Sequence, residues 1–255
     1  MRNPLSNPPN WVTLAGLACG SLAIATVLGP SGAGPESLRI GAMLVVFAGI
    51  FDMLDGRVAR LVGRQSEFGV QLDSLTDLVS FGVAPAMLAY AWRLHELGFW
   101  GALIAAVYVC GAAVRLARFN VEGSGRTWRY PGHSRGLTTT MSGAILSVFI
   151  WLANDLWAAQ ASVSASLLGL AMCGFTVMMW SSIPFRNFRN MKVSRWARGL
   201  FATALCASLF GGFVVQPALG WGIGAFSYLV FGTLEGLSLW LRDWARDGSR
   251  RSIGR

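Results

Sequence analysis

The sequence predicts an all-α integral membrane protein, a polytopic bundle of about eight transmembrane helices. Of its 255 residues, 54% are hydrophobic and only 13% are charged, which is about half the charged fraction of a typical soluble domain. Apolar runs near the ~20 residues that cross a bilayer recur along the whole chain. Within these runs the apolar residues recur at helical spacing or are continuous. They do not alternate strictly with polar residues, as they would in the strands of a transmembrane β-barrel.

Eight apolar segments are interpreted as membrane spans within a single membrane domain, residues 1–255. The first is read as a span and not as a removed signal, because no convincing small-residue cleavage site follows it. Glycine and proline mark several junctions, as in GPSGAGPES, YPGHSRG and SSIPF. The spans lie at about 12–28, 40–62, 69–92, 98–117, 137–154, 163–180, 199–217 and 222–240.

The basic residues predict the orientation of these spans. All but two of the 21 lysines and arginines lie at the termini or in the even-numbered connections, and only Arg39 and Arg93 fall on the opposite side. The positive-inside rule therefore places both termini and the even connections in the cytoplasm, for a multi-pass protein of the cell (inner) membrane. This face attracts anionic lipid headgroups, so the basic charge does not indicate nucleic-acid binding.

Four aspartates lie where the second span ends and the third begins, on the cytoplasmic side. At 100° per residue, one arc of about 100° on the second helix contains Asp52, Asp55, Gly56 and Ala59, with Arg60 at its border. A spacing of i, i+4 and i+8 gives the third helix a stripe of Gly69, Asp73 and Asp77. Two adjacent helices can therefore aim four carboxylates at a common point.

Such a cluster needs compensating charge. Each intramembrane aspartate costs about 2.5–3.5 kcal/mol at the bilayer centre, and less near the interface, and neighbouring like charges repel. An arginine network that anchors the helix ends is one interpretation. A pair of hard divalent cations, Mg²⁺ or Mn²⁺, is a better match for four carboxylates, and two-metal sites favour phosphoryl chemistry. Gly56 and Gly69 would let a substrate or a neighbouring backbone come close.

The same stretch resembles the CDP-alcohol phosphotransferase family. It matches the signature D-x2-D-G-x2-A-R-x8-G-x3-D-x3-D at every fixed position: Asp52, Asp55, Gly56, Ala59, Arg60, Gly69, Asp73 and Asp77. Members of that family transfer a phosphoalcohol or phosphatidyl group from a CDP-linked donor to an alcohol and release CMP.

The resemblance implies a catalytic six-helix core over about residues 8–195, two further helices over 196–241, a basic tail over 242–255, and a homodimer. It implies that the four aspartates hold two divalent metal ions and that Asp77 is the base toward the acceptor hydroxyl. It also implies that Gly56, Ala59 and Arg60 face the CDP moiety, and Gly69 is grouped with them as a point of close approach.

Two further segments resemble the branch of the family whose acceptor is serine. In PNWVTLAGLACGSLAI, Asn10 and Thr13 match an asparagine and a threonine that lie near the cytidine, although an N-terminal capping role explains them equally well. In VRLARFNV, Arg115 and Arg118 could meet the diphosphate or a serine carboxylate. Arginines at the end of a span also extend toward lipid headgroups, which is the alternative.

One segment departs from that branch. Its members usually show a Gly-Leu-Pro-x-Pro-like turn before the fifth span, whereas this chain has RGLTTTMSG, from Arg135 to Gly143. The three threonines could cap the helix or face the acceptor pocket. The departure bears on the identity of the acceptor and not on the type of reaction.

The expected function is therefore phosphatidyl transfer from CDP-diacylglycerol to L-serine in the membrane. The rivals within the enzyme class use glycerol phosphate, inositol phosphate or choline as acceptor. A divalent-metal transporter is the rival from another class, but the acidic residues gather at one face and do not form a continuous path through the other spans. A non-catalytic lipid-binding protein would not need the full signature.

Overall fold

The computed structural model describes residues 8–29, 32–62, 66–122, 130, 133–157, 163–186 and 217–253. The helices are α1 (Pro8–Leu28), α2 (Pro35–Val62), α3 (Glu67–Asp77), α4 (Ala84–Trp92), α5 (Phe99–Glu122), α6 (Thr139–Trp157), α7 (Ala165–Trp180) and α8 (Pro217–Ile253). Two short strands are β1 (His133–Arg135) and β2 (Pro184–Arg186). A π-helical turn (Leu78–Val83) joins α3 to α4, and a 3₁₀ turn (Leu94–Leu97) precedes α5.

The predicted class, an all-α polytopic membrane protein, is confirmed. In the described part of the chain, five helical stretches are long and apolar enough to cross a bilayer: Pro8–Leu28, Pro35–Ala59, Glu67–Trp92, Phe99–Val121 and Gly222–Arg242. Ala165–Trp180 is apolar but shorter. The expected span at 199–217 lies outside the described residues, except for its last residue, so the total of eight spans stays a prediction.

The helices extend further toward the N-terminus than the apolar runs predict. Helix α1 begins at Pro8 and α2 at Pro35, because proline is favoured at the first positions of a helix, where its missing N–H would have no helical partner. Helix α3 begins after Ser66, whose side chain accepts a hydrogen bond from the Gly69 backbone N–H at 3.0 Å. The polar residues near these starts are therefore helical too.

The path from α3 through the π turn to α4 runs through the middle of the bundle and packs against α1, α5 and α6. Two glycines permit this packing. A Cβ on Gly20 of α1 would lie 2.7 Å from the Ser80 Cα, and a Cβ on Gly143 of α6 would lie 2.7 Å from the Phe81 Cα. Both distances are too short for side chains, so α1 and α6 meet the π turn backbone to backbone.

The two strands form an antiparallel ladder that pairs Ser134 with Phe185. The sequence did not predict it, because three-residue strands carry no alternation pattern. Gly136 follows β1 with φ +75°, in the left-handed region that favours glycine, and its N–H donates to the Ile183 carbonyl at 2.9 Å. The ladder ties the segment before α6 to the segment after α7.

Candidate active site

The ends of α2 and α3 bring three carboxylates together. One oxygen from each of Asp52, Asp55 and Asp73 lies within 4.8 Å of the other two. Asp55 is buried, and Asp52 and Asp73 are half-buried. The helical spacing of the sequence predicts that carboxylates of α2 and α3 meet, and Asp52, Asp55 and Asp73 do so.

Asp77 lies beside this triad at the last residue of α3. Its side chain is 8% exposed, and its charge interacts with those of Asp52, Asp73 and Asp55 and with the guanidinium of Arg115. Among the described residues, its Oδ1 atom has no hydrogen-bond partner. A buried carboxylate oxygen without a partner is costly, so this atom is suited to a ligand that the chain itself does not supply.

The donor set fits a hard divalent cation. Carboxylate oxygens are the ligands that Mg²⁺ and Mn²⁺ prefer, and oxygens about 2.0–2.1 Å from one ion lie within about 4 Å of one another. The triad oxygens lie within 4.8 Å of one another, which is close to that span. Among the described residues, Arg115 is the one buried arginine whose charge offsets that of Asp77, and a divalent cation would reduce the remaining excess of negative charge.

The first turns of α1 complete this side of the site. Thr13 is buried, and its hydroxyl donates to Oδ2 of Asp55 at 2.8 Å, with the Pro9 carbonyl 3.2 Å away. Asn10 is buried too, and a Cβ on Gly69 would lie 3.3 Å from its Oδ1. Helix α1 therefore contacts both acidic helices. The predicted contacts of Asn10, Thr13 and Gly69 with the nucleotide stay predictions.

Gly56, the signature residue after Asp55, borders open space. A Cβ on Gly56 would meet no atom within 4 Å, and Ala59 is half-buried less than one turn further on. The side chain of Arg60 lies outside the described residues. Open space beside Asp55 leaves room for a ligand, while the proposed contacts of these three residues with CDP stay predictions.

Arg115 supplies positive charge from α5. It is 8% exposed, its Nη1 donates to the Thr139 hydroxyl at 3.4 Å, and its guanidinium carbon lies 5.4 Å from the centre of the Phe119 ring. Its positive charge is near enough to Asp77 for the two side chains to attract each other. Its side chain is held inside the protein, and its predicted contact with the diphosphate or the serine carboxylate stays a prediction.

Arg118 makes contacts that sequence reasoning missed. Its guanidinium donates to the backbone carbonyls of Trp180, Arg135, Met179 and Ser181 at 3.2–3.5 Å. These carbonyls belong to the C-terminal end of α7 and to β1, so Arg118 caps a helix and holds the ladder. No local pattern signals this role, since three of the four partners lie about 60 residues away in sequence. Its predicted contact with substrate remains a prediction.

Comparison with known proteins identifies the family. The sequence model of the CDP-alcohol phosphatidyltransferase family matches residues 6–185. A Bacillus subtilis (strain 168) protein named CDP-diacylglycerol–serine O-phosphatidyltransferase is 34% identical over 195 residues, which cover 74% of this chain and 97% of the relative. A Helicobacter pylori (strain J99) protein of the same name is 30% identical over 241 residues, 94% of this chain and 95% of the relative.

An archaeal relative of the same name, from Methanocaldococcus jannaschii, is 34% identical over 79% of this chain and 83% of its own length. The chain belongs to the CDP-alcohol phosphatidyltransferase family. The resemblance drawn from the aspartate signature is thereby confirmed, and so is the prediction that the protein is a transferase.

The Thr13–Asp55 contact makes a prediction about metal binding. Thr13→Val removes the hydroxyl that orients Asp55 and keeps the shape of the side chain, so Mn²⁺ affinity should fall about tenfold, as when the hydrogen-bond partner of a metal ligand is lost. Electron paramagnetic resonance of free Mn²⁺ over the purified protein measures this. Thr26→Val is the matched control, since the Thr26 hydroxyl donates to the Ala23 carbonyl of its own helix at 2.7 Å and does not contact an aspartate among the described residues. Equal Mn²⁺ affinity in both variants would contradict the role of Thr13.

Proposed function

We propose that this protein transfers the phosphatidyl group of CDP-diacylglycerol to the hydroxyl of L-serine, producing phosphatidylserine and CMP. The observation that carries the proposal is the gathering of Asp52, Asp55 and Asp73 beside Asp77, at the ends of two helices. The choice of serine as acceptor rests on the relatives. Several relatives that match most of this chain are named CDP-diacylglycerol–serine O-phosphatidyltransferase.

The reaction needs one proton acceptor and one leaving group. The serine hydroxyl oxygen attacks the phosphorus that carries the diacylglycerol, and the bond from that phosphorus to the oxygen bridging to CMP breaks. Asp77 takes the hydroxyl proton, and CMP leaves with the bridging oxygen. A free aspartate is a weak base toward an alcohol, with an ordinary pKa of about 3.9. Positioning beside the hydroxyl must therefore supply much of the rate.

The residues that would hold two divalent ions are Asp52, Asp55, Asp73 and Asp77. When bound, Mg²⁺ or Mn²⁺ would neutralise the carboxylates and stabilise the charge on the diphosphate. Thr13 fixes the orientation of Asp55, and the open space at Gly56 lies on the side where the nucleotide would enter. Arg115 faces the same cluster and would bind the diphosphate or the serine carboxylate, since a guanidinium suits either anion.

The setting of this chemistry follows from the charge pattern. The basic residues beside the acidic helix ends favour a cytoplasmic active site in the cell membrane. The acyl chains of the donor would lie between helices, in contact with membrane lipid, and the soluble acceptor would enter from the cytoplasm. A homodimer is part of the proposal because the family resemblance implies one.

Another acceptor alcohol is the second candidate, because the proline turn before α6 is missing. In its place, the Thr138 hydroxyl accepts from the Met141 N–H at 3.3 Å and caps α6, and Thr139 accepts from Arg115. Thr138 thus takes the capping role that the sequence left open. Thr139 is fully buried, so this segment would influence the choice of acceptor through the position of Arg115.

The acceptor is tested with purified protein in detergent, CDP-diacylglycerol, Mn²⁺ and a panel of labelled alcohols. We expect label from serine to enter lipid, with one CMP released for each serine incorporated. Glycerol phosphate, inositol phosphate and choline serve as matched alternatives in the same assay. Incorporation from one of these and none from serine would move the protein to another branch of the family, and no CMP release with any acceptor would reject the transferase proposal.

The role of Asp77 is tested by Asp77→Asn, which keeps the size of the side chain and removes its basicity. CMP release should fall by about 10²-fold or more, the usual size of a general-base contribution, while the protein elutes as wild type by size exclusion. Asp155→Asn is the control, because Asp155 lies on α6 near its far end and accepts from the indole of Trp151. Comparable turnover in Asp77→Asn and wild type would refute the base role.

A further inference from the structure

A wide helical turn follows directly after Asp77. In the segment Leu78–Val83 the backbone bonds span five residues, as in the bond from the Ala84 N–H to the Val79 carbonyl. Pro85 has no N–H, so it cannot donate to the preceding turn in either an α- or a π-helical pattern. Wide turns of this kind are rare and frequently lie at functional sites, because a helix adopts them only where its neighbours support them.

Side chains from α5 and α6 support this turn. The Tyr108 hydroxyl lies 3.3 Å from the Phe81 carbonyl, to which it donates, and 2.8 Å from the Ser142 hydroxyl. Tyr108, Phe81 and Ser142 are all fully buried. Gly143, the next residue on α6, meets the Phe81 backbone directly. The carbonyl of the turn thus has a partner on a different helix.

The opposite side of the turn is held by α1. The Ser80 hydroxyl donates to the Gly16 carbonyl at 3.2 Å, and Gly20 leaves room for the Ser80 backbone. The turn is therefore fixed between α1 on one side and the Tyr108–Ser142 pair on the other, and Asp77 is the residue immediately before it.

The face of α5 that holds the turn also carries the arginine of the site. Tyr108, Ala112 and Arg115 lie on one stripe of α5 through i, i+4 and i+7 spacing. A Cβ on Gly82 would lie 3.2 Å from the Ala112 Cβ, so the middle of the stripe also contacts the turn. Two turns of helix after Tyr108, Arg115 interacts with Asp77. A shift of α5 against the turn would therefore move Arg115 relative to Asp77.

We propose that Tyr108, together with Ser142, is a positioning residue for the transfer reaction: the pair fixes the π turn and thereby sets Asp77 opposite Arg115. This rests on the proposed function, in which Asp77 is the base. Tyr108 is fully buried among protein atoms, so it acts through Asp77 and Arg115 and does not touch substrate.

Tyr108→Phe tests the proposal, because it removes the hydroxyl and keeps the ring that packs in the core. We expect kcat to fall about tenfold or more, as for a small misplacement of reacting groups, with KM for both substrates within about twofold of wild type. Ser142→Ala should give a similar loss, and the double variant should be no worse than the more impaired single one, since both act through the same contact.

Ser147→Ala is the matched control. Ser147 is a fully buried hydroxyl on the same helix as Ser142, and among the described residues it has no hydrogen-bond partner. A general effect of removing a core hydroxyl would lower kcat in this variant as well, whereas positioning through the π turn leaves it unchanged. Equal losses in Ser142→Ala and Ser147→Ala would overturn the proposal.

A readout independent of turnover separates this inference from the proposed function. Mn²⁺ affinity, measured by electron paramagnetic resonance, should weaken about threefold or more in Tyr108→Phe, because a metal site loses affinity when its ligands and the residues that orient them are displaced. The affinity should stay unchanged in Ser147→Ala. If wild type transfers no phosphatidyl group to any alcohol, the proposed function fails, while this comparison still tests the positioning of Asp77. Wild-type kcat together with wild-type Mn²⁺ affinity in Tyr108→Phe overturns the inference.

Discussion

The structure depends on an electrostatic constraint: several carboxylates share a partly buried volume between the ends of two helices. One carboxylate oxygen from each of Asp52, Asp55 and Asp73 lies within 4.8 Å of the other two. Asp77 lies beside them, and its buried Oδ1 has no hydrogen-bond partner in the described part of the chain. Repulsion between these charges in a medium of low polarity would push α2 and α3 apart. Positive charge placed between them would relieve this repulsion.

The surrounding helices are built to hold the carboxylates in spite of this repulsion. Helix α1 reaches Asp55 through the Thr13 hydroxyl and α3 through close packing at Gly69. Helix α5 supplies Arg115, which is itself held by Thr139 of α6. On the far side of Asp77, glycines on α1 and α6 allow backbone contact with the π turn. Each of these contacts restricts where a carboxylate can lie, and together they preserve a geometry that the acidic side chains alone would not keep.

The sequence predicts the acidic part of the site well, because its information is local. Helical periodicity over a short stretch is enough to put Asp52 and Asp55 on one stripe, and Asp73 and Asp77 on another. The family signature then pairs the two helices. The class of the protein is also predicted from local information, because each apolar run indicates a membrane span whatever the neighbouring segments are.

The contacts around the site could not be predicted in the same way. The carbonyls that surround Arg118, the Phe81 carbonyl that meets Tyr108, and the ladder between β1 and β2 all join segments that are far apart in sequence. Their formation depends on how whole helices pack, and tyrosine, serine and arginine in apolar spans have many other uses. Pro85 indicates an irregular helix, because it has no N–H to donate to the preceding turn. It does not indicate which side chain donates to the Phe81 carbonyl instead.

We propose that the carboxylates work only with divalent cations bound between them. The most direct test measures CMP release by protein stripped with excess chelator and then supplied with increasing Mn²⁺. We expect no CMP release from the stripped protein and full recovery as the ion is returned. Undiminished CMP release in excess chelator would contradict it.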